Sequence, residues 1–257
     1  MQQILQRIMK QAQSQNTTSH ALNNTYKCNK CHDTGFIEYD GVWRRCECYE
    51  LDYAKRLWSN YGVNPKDIKM LKEYEPYNDI TRQARDKAID YIKSFSDIEK
   101  HRENNFCLMG QSGAGKTHII TAIGKALLDK KIPVVYMPYL EAIRELKSCS
   151  MDLEYYEKLI NKYKRARVVI IDDLFKDKIR QGNLIGDLKE SDMKHIYPIL
   201  NYRYLNYLPT LISTECTPQL LIKLDEALAG RILECCGKRF GVVFKNDCNY
   251  RLKQFLE

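Results

Sequence analysis

Residues 110–117 read Gly-Gln-Ser-Gly-Ala-Gly-Lys-Thr, a complete G-x-x-x-x-G-K-[ST] phosphate-binding loop. An apolar run at 106–109 precedes the loop and a helix-forming run at 118–123 follows it, so the motif has the strand–loop–helix context of a nucleotide site. Its glycines let backbone N–H groups turn towards a phosphate chain, and the next helix adds the positive end of its dipole. We expect Lys116 to reach the β- and γ-phosphates and the Thr117 hydroxyl to bind Mg²⁺. The stretch predicts an α/β protein that binds ATP or GTP, with these contacts: Gly110, Gln111, Ser112, Gly113, Ala114, Gly115, Lys116, Thr117 and His118.

A second stretch, Val168-Val169-Ile170-Ile171-Asp172-Asp173, supplies the oxygen ligands that a nucleotide-bound Mg²⁺ prefers. Continuous β-branched residues favour a strand of a parallel sheet that is covered on both faces. We expect Asp172 to hold the Mg²⁺ shell through water, and Asp173 to orient or deprotonate the attacking water. The alternative is a buried strand that ends in a solvated Asp-Asp turn.

Composition narrows the class of protein. The 257 residues are 44% hydrophobic, which is enough for one substantial core and a small accessory module. No stretch approaches the roughly 18–20 apolar residues of a membrane span, and the residues after Met1 lack the apolar core of a signal peptide. We therefore expect a cytoplasmic protein without membrane contact, whose ten cysteines are reduced thiols or metal ligands. The formal net charge of +8 permits contact with nucleic acid without requiring it.

A β-hairpin is predicted near the N-terminus, with two cysteines on either side of it: Cys28, Cys31, Cys46 and Cys48. Asp40-Gly41 between β-prone flanks is a strong signal for a two-residue turn. That turn pairs Tyr39 with Val42 and places Gly35 opposite the third cysteine. The hairpin therefore carries the two cysteine pairs towards each other.

Four thiolates that converge in this way fit a closed, tetrahedral and structural Zn²⁺ site. His32 is a substitute ligand that the four cysteines make unnecessary. The alternative is a loop with four free cysteines, which would leave the module almost without a core.

Three segments follow from these patterns: residues 1–60 as an N-terminal helix and zinc-binding hairpin module, 61–104 as a helical connector, and 105–257 as the ATPase core. An apolar stripe over residues 1–13 predicts a short helix that either folds back onto its own domain or lies in a partner's groove. In the connector, Thr81–Phe95 is predicted to be an amphipathic helix. Alternating helices and strands in the core predict a parallel sheet with helices on both faces, with strands at 106–109, 133–137, 167–171, 210–213 and 241–244.

These features together resemble the DnaC/DnaI group of replicative helicase loaders, which are AAA+ ATPases. The resemblance covers nearly the whole chain and rests on the cysteine hairpin, the phosphate loop, the acid strand and the segments 211–215 and 228–234. It implies a three-layer α/β AAA+ core around a parallel sheet, preceded by a small zinc-binding module with four cysteine ligands. A full helical lid is not expected, because only residues 245–257 follow the last strand. The implied cofactors are ATP, Mg²⁺ and Zn²⁺.

The function implied by this resemblance is ATP-dependent loading of the replicative DNA helicase onto single-stranded DNA. The zinc module would contact the helicase, AAA+ interfaces would lead to self-assembly, and ATP hydrolysis would be slow and stimulated by partners. The alternative is an IstB-like ATPase that selects targets for transposition, which shares the lidless core. The cysteine hairpin argues against it, since those relatives usually carry a helical N-terminus.

The resemblance also implies roles for residues outside the two motifs. A polar residue that senses the γ-phosphate is expected at Glu215, with Thr214 as the alternative; the family more often has Asn there. Arg231 corresponds to the arginine finger, which enters the neighbouring subunit's site and stabilises charge on the γ-phosphate. Its alternative is a surface arginine paired with Glu234. Arg251 is a weaker candidate for a second arginine that acts within its own chain.

Residues 139–167 mix basic and aromatic side chains, the composition of a platform for single-stranded DNA. The members are Arg144, Lys147, Lys158, Lys162, Lys164, Arg165 and Arg167 with Tyr139, Tyr155, Tyr156 and Tyr163. Acidic residues are interspersed, so a solvated amphipathic face is the alternative. A second candidate patch follows the acid strand at Lys176, Lys178 and Arg180.

Overall fold

The structure, a computed structural model, describes residues 26–245 and 249–250. The helix predicted over residues 1–13 and Arg251 lie outside the described residues. The chain forms two compact units, one ending at Cys46 and the other beginning at Glu47. Across the described ranges, none of the helices combines the length and the apolar character that crossing a membrane requires.

The first unit contains an antiparallel hairpin of β1 (Phe36–Tyr39) and β2 (Val42–Arg45). Asp40 and Gly41 both have positive φ values, 50° and 72°, as the two central residues of a type I′ turn require. Tyr39 pairs with Val42, and the Cys46 N–H donates to the Gly35 carbonyl at 2.8 Å. The predicted register of the hairpin is confirmed.

The second unit is built on a five-stranded parallel sheet. Its strands, together with a separate two-stranded hairpin, are β3 (Phe106–Gly110), β4 (Val134–Pro138), β5 (Val168–Asp172), β6 (Ile179–Arg180), β7 (Asn183–Leu184), β8 (Thr210–Ser213) and β9 (Gly241–Phe244). The order in the large sheet is β4-β5-β8-β3-β9. Each of the five strands predicted for the core is present, with bounds that differ by at most one residue. The hairpin of β6 and β7 is an addition that the sequence did not predict.

Helices cover both faces of the sheet. They are α1 (Glu47–Asn60), α2 (Asp79–Ile98), α3 (Lys116–Asp129), α4 (Tyr139–Ser148), α5 (Leu153–Arg165), α6 (Glu190–Leu205), α7 (Pro218–Leu224) and α8 (Glu226–Phe240), with 3₁₀ turns at Leu71–Glu73 and Lys176–Lys178. Alternate strand residues point to opposite faces. Accordingly Phe106 and Leu108 pack with α1, α2 and α3, whereas Cys107 and Met109 pack with α4 to α8. The predicted three-layer α/β fold is confirmed.

Helix α1 is part of the core packing of the second unit. Its Trp58 is fully buried and donates its indole N–H to the Val134 carbonyl of β4 at 2.7 Å. The indole lies against Gly124 of α3, where a Cβ atom would be 2.8 Å from the ring. The amphipathic helix predicted in the connector is α2, and its Ala84 and Phe95 are buried as expected.

A buried arginine of α6 forms hydrogen bonds to the residues that precede β5 and β8. Arg203 is 1% exposed and donates to the carbonyls of Ala166, just before β5, and Pro209, just before β8, at 2.8 and 2.6 Å. Burial lowers the pKa of Arg203 to about 9. These hydrogen bonds hold the segments before β5 and β8 next to α6.

Candidate nucleotide-hydrolysis site

The phosphate loop joins β3 to α3 at the carboxyl edge of the sheet. Gly110, Gly113 and Gly115 have φ values of 97°, 75° and 83°, in the region that favours glycine. At Gly110 a Cβ atom would lie 2.1 Å from the Phe244 carbonyl oxygen, so β9 leaves no room for a side chain there. Helix α3 begins at Lys116, which aims the helix N-terminus at the loop.

Lys116 is buried beneath this loop, with 5% of the residue exposed. Its Nζ donates to the carbonyls of Gly110 and Gln111 at 2.9 and 2.7 Å. Burial lowers the pKa of Lys116 from 10.5 to about 8, although the negative charges of Glu215 and Asp173 oppose that change. The ammonium group therefore has only neutral acceptors in the loop, and a phosphate chain would offer charged ones.

Asp172, at the end of β5, is buried and receives three hydrogen bonds. Thr117 Oγ1 donates to Oδ1 at 3.0 Å, the Tyr136 hydroxyl donates to Oδ2 at 2.7 Å, and Ser213 Oγ donates to Oδ1. Burial and the Asp172 charge raise the pKa of Tyr136. A carboxylate and a threonine hydroxyl in direct contact are hard oxygen donors, which fit the coordination of a hydrated Mg²⁺.

Asp173 faces the cavity beside the loop. Its φ of 55° lies in the left-handed region, and its backbone N–H donates to Ser213 Oγ at 2.9 Å, which holds this conformation. Burial, followed by the charge of Asp172, raises the pKa of the Asp173 carboxyl. A carboxylate with a raised pKa is a stronger base, which suits it to take a proton from water.

The two candidate sensor residues follow β8, which lies between β3 and β5 in the sheet. Thr214 is fully buried and its hydroxyl donates to the Leu174 carbonyl at 2.7 Å, whereas Glu215 lines the cavity. Glu215 forms an ion pair with Lys176. Burial by itself would raise the pKa of Glu215, but hydrogen bonds from Lys176 and Ser112 lower it below its usual value.

A cavity of about 600 Å³ extends from the loop and has the dimensions of a ligand pocket. Its lining includes three aromatic residues that the sequence analysis missed, Tyr74, Tyr77 and Tyr250. The Tyr74 hydroxyl donates to the Ala114 carbonyl at 3.2 Å. The rings of Tyr77 and Tyr250 are 5.3 Å apart, and such rings offer faces on which a nucleobase can stack. No motif marks these tyrosines, because positions 74, 77 and 250 are all remote in the chain from the phosphate loop.

Arg231 lies on α8 and does not line this cavity. Its Nε donates to Asn201 Oδ1 at 3.1 Å and its Nη1 donates to the Ala227 carbonyl at 2.8 Å. Glu234, the acid weighed as its partner, pairs instead with Arg102 at 3.2 Å. Arg231 is partly exposed, which leaves it accessible to a neighbouring subunit. Its role as an arginine finger in that subunit's site stays a prediction.

The four cysteines of the N-terminal module come together. Their Sγ atoms all lie within 4.8 Å of one another, and two of these atoms, on Cys28 and Cys46, are 3.7 Å apart. A tetrahedron with Zn–S bonds of about 2.3 Å has edges of about 3.8 Å, whereas a disulfide requires a separation of about 2.05 Å. The donor set and spacing therefore fit Zn²⁺ held by Cys28, Cys31, Cys46 and Cys48.

The predicted DNA platform over residues 139–167 is wrong for two of its four tyrosines. Tyr139 and Tyr163 are 1% and 0% exposed and belong to the hydrophobic core, so no base can stack on them. Lys147 pairs with Asp192, and Arg167 pairs with Glu99 at 2.7 Å. Ion pairs and core packing thus account for much of the segment's composition.

The second candidate patch is also divided by the fold. Lys176 points into the cavity beside Glu215, and Lys178 is buried and pairs with Asp192 at 2.8 Å. Arg180 is exposed. The three basic residues therefore do not form one surface.

A phosphate loop after β3, an acid pair at the end of β5 and a polar position after the intervening strand β8 define a P-loop ATPase of the AAA+ class. The chain belongs to the family of IstB-like ATP binding proteins, whose profile matches residues 53–254. The predicted AAA+ ATPase and its resemblance to the DnaC/DnaI group are confirmed.

Similar proteins include the phage-like element PBSX protein XkdC of Bacillus subtilis, 33% identical over 241 residues, which is 89% of this chain and 87% of XkdC. The replicative helicase loader DnaI of the same organism is 30% identical over 137 residues, 51% of this chain and 39% of DnaI. A crystal structure of DnaI has a TM-score of 0.57 at 20% identity, covering 68% of this chain and 90% of that one, which shows the shared fold.

Proposed function

We propose that this protein loads a replicative DNA helicase onto single-stranded DNA in an ATP-dependent reaction. The observation that carries the proposal is a hairpin flanked by four converging cysteines, in the same chain as a core with a phosphate loop, a Thr117–Asp172 pair and a candidate base at Asp173. The partial match to a replicative helicase loader supports it.

In this proposal the core residues act on ATP in cis. Lys116 binds the β- and γ-phosphates, and Thr117 and Asp172 hold Mg²⁺, which when bound neutralises phosphate charge. Asp173 orients the attacking water and accepts its proton, and Glu215 responds to the γ-phosphate. Arg231 of a neighbouring copy would complete the site, so hydrolysis depends on self-assembly.

The hairpin is proposed as the contact with the helicase. Tyr39, Val42 and Trp43 are 60%, 51% and 40% exposed, which places apolar surface at the tip of the hairpin. A partner would bury this surface. Zn²⁺ held by the four thiolates would stabilise the hairpin.

Binding to the purified hexameric helicase of the host tests the proposal directly. The double variant Tyr39→Ala, Trp43→Ala should lose helicase binding while it retains metal content and ATP hydrolysis. Met151→Ala, which removes an apolar side chain that is 94% exposed on the other unit, is the matched control. Wild-type protein that neither binds the helicase nor transfers it to circular single-stranded DNA in the presence of ATP would refute the proposal.

The second candidate function is ATP-dependent target selection in transposition. The family description, IstB-like ATP binding protein, favours it. A protein of this kind should stimulate strand transfer by a cognate transposase and should leave helicase transfer unchanged.

A further inference from the structure

We propose that Lys176 is a second phosphate-binding lysine of the ATP site, which acts in its own chain and reaches the γ-phosphate while it stays bound to Glu215. This role belongs to ATP binding and hydrolysis by the AAA+ core and is independent of the macromolecular partner. It explains how an anionic residue is accommodated at the sensor position.

Lys176 is positioned at the nucleotide cavity. It lies in the same cavity wall as Asp173 and Glu215, and its side chain is 36% exposed against 12% for Glu215. The glutamate is thus the inner member of the pair and the lysine the outer one. The ammonium group stands where a ligand entering the cavity can reach it.

The backbone holds this position firmly. Asp173 and Phe175 have φ values of 55° and 60°, so two non-glycine residues of the turn after β5 are in the left-handed region. Such conformations persist where the surroundings determine them. Here Leu174 and Phe175 are buried at 0% and 2%, and the Lys176 N–H donates to the Asp173 carbonyl at 3.0 Å. The turn therefore places Lys176 directly beside the candidate base.

The negative charges in the cavity require a compensating cation near the γ-phosphate. A nucleoside triphosphate brings several negative charges into a cavity that already contains Asp173 and Glu215. Glu215 beside a γ-phosphate would be repelled without a cation between them. Lys176 is that cation, and it is bound to the glutamate in the structure.

The ammonium group of Lys176 can bind Glu215 and a phosphate at the same time. Lysine has three N–H donors, so Lys176 can keep one hydrogen bond to Glu215 and donate another to a γ-phosphate oxygen. The glutamate then acts through the lysine, as a positioning residue for it. Lys116 and Lys176 would contact the phosphate chain from two directions.

Affinities for ATP and ADP separate this proposal from a purely structural ion pair. Lys176→Ala should raise the Kd of a non-hydrolysable ATP analogue by about 10- to 100-fold, the usual range for a charged hydrogen bond. The Kd of ADP should change by less than about threefold, because ADP lacks the group that the lysine contacts. Lys176→Arg should restore most of the affinity for the ATP analogue.

Two control variants distinguish loss of the phosphate contact from a general change of charge or stability. Lys223→Ala removes one positive charge from an exposed position on α7 and should leave both affinities unchanged. Lys176→Met keeps the apolar stem and replaces the alanine variant if the latter melts at a lower temperature. Equal weakening of ATP and ADP binding by Lys176→Met, or unchanged binding of both, would overturn the proposal.

A double variant tests the alternative that Lys176 only neutralises Glu215. If that were its role, Lys176→Ala combined with Glu215→Gln would restore wild-type affinity for the ATP analogue. The proposal expects the double variant to bind the analogue at least about tenfold more weakly than Glu215→Gln alone, since the phosphate contact is still missing. Restoration to the level of Glu215→Gln would refute it.

Discussion

ATP binding should weaken as the pH rises through 8, because Lys116 loses its proton at a lower pH than an exposed lysine does. Burial lowers its pKa from 10.5 to about 8. ATP binds to the protonated lysine, and phosphate oxygens keep it protonated in the complex. The affinity is therefore almost fully present at pH 7, is about half of that at pH 8 and declines further above it.

The size of the effect follows from the fraction of lysine that is charged before ATP binds. The apparent Kd is multiplied by 1 + 10^(pH − pKa), and a pKa of about 8 gives factors of about 1.1 at pH 7, about 2 at pH 8 and about 11 at pH 9. The other charged groups that face Lys116 are Asp172, Asp173, Glu215 and Lys176. Loss of the Lys116 charge leaves the three carboxylates less compensated, which acts in the same direction on a triphosphate.

Isothermal titration calorimetry can measure both the affinity and the protons taken up. At pH 8.5, titrations in two buffers with different ionisation heats should show uptake of about 0.8 proton per ATP, since that share of Lys116 is uncharged before binding. Lys116→Arg is the matched control, because a guanidinium group stays charged throughout this range. A constant Kd between pH 7 and pH 9.5, without proton uptake, would refute the reasoning.

Four further outcomes are expected. Asp173→Asn should bind ATP and lose turnover, and wild-type turnover would exclude the role of this residue as base. Mixing Arg231→Ala with Asp173→Asn subunits should restore part of the activity, because some sites then have both groups; co-assembly without restoration would contradict an arginine finger. Elemental analysis should find one Zn²⁺ per chain in the wild type and in Cys149→Ser, and none in Cys28→Ser. Gly124→Ala should lower the free energy of unfolding in urea by about 1–3 kcal/mol through overpacking, because its methyl group would come within 2.5 Å of a neighbouring side chain; an unchanged midpoint would show that the core yields at this point.

Local sequence was sufficient to predict the structure of short segments whose own residues restrict the backbone. The phosphate loop and the acid strand β5 were predicted to within one residue, and the turn at Asp40-Gly41 was predicted with the register of its hairpin. Glycine conformations and unbroken β-branched runs leave few alternatives there. Composition was a poor guide for residues 139–167. A tyrosine in the sequence can belong to a hydrophobic core or to a DNA-binding surface. Only the burial of Tyr139 and Tyr163 in the structure distinguishes these two roles.

The sequence by itself determined the class of the protein and, to within one residue, the ends of β3 and β5, which lead to Lys116 and to the Asp172-Asp173 pair. Only the tertiary structure decided how those groups are set for chemistry. Tyr136 and Ser213 donate to Asp172 from the strands on either side of β5, and Lys176 meets Glu215 across the gap between two strand ends. The physical reason is that hydrogen bonds, ion pairs and pKa shifts depend on distances between segments remote in the chain, which packing fixes and a local pattern does not contain.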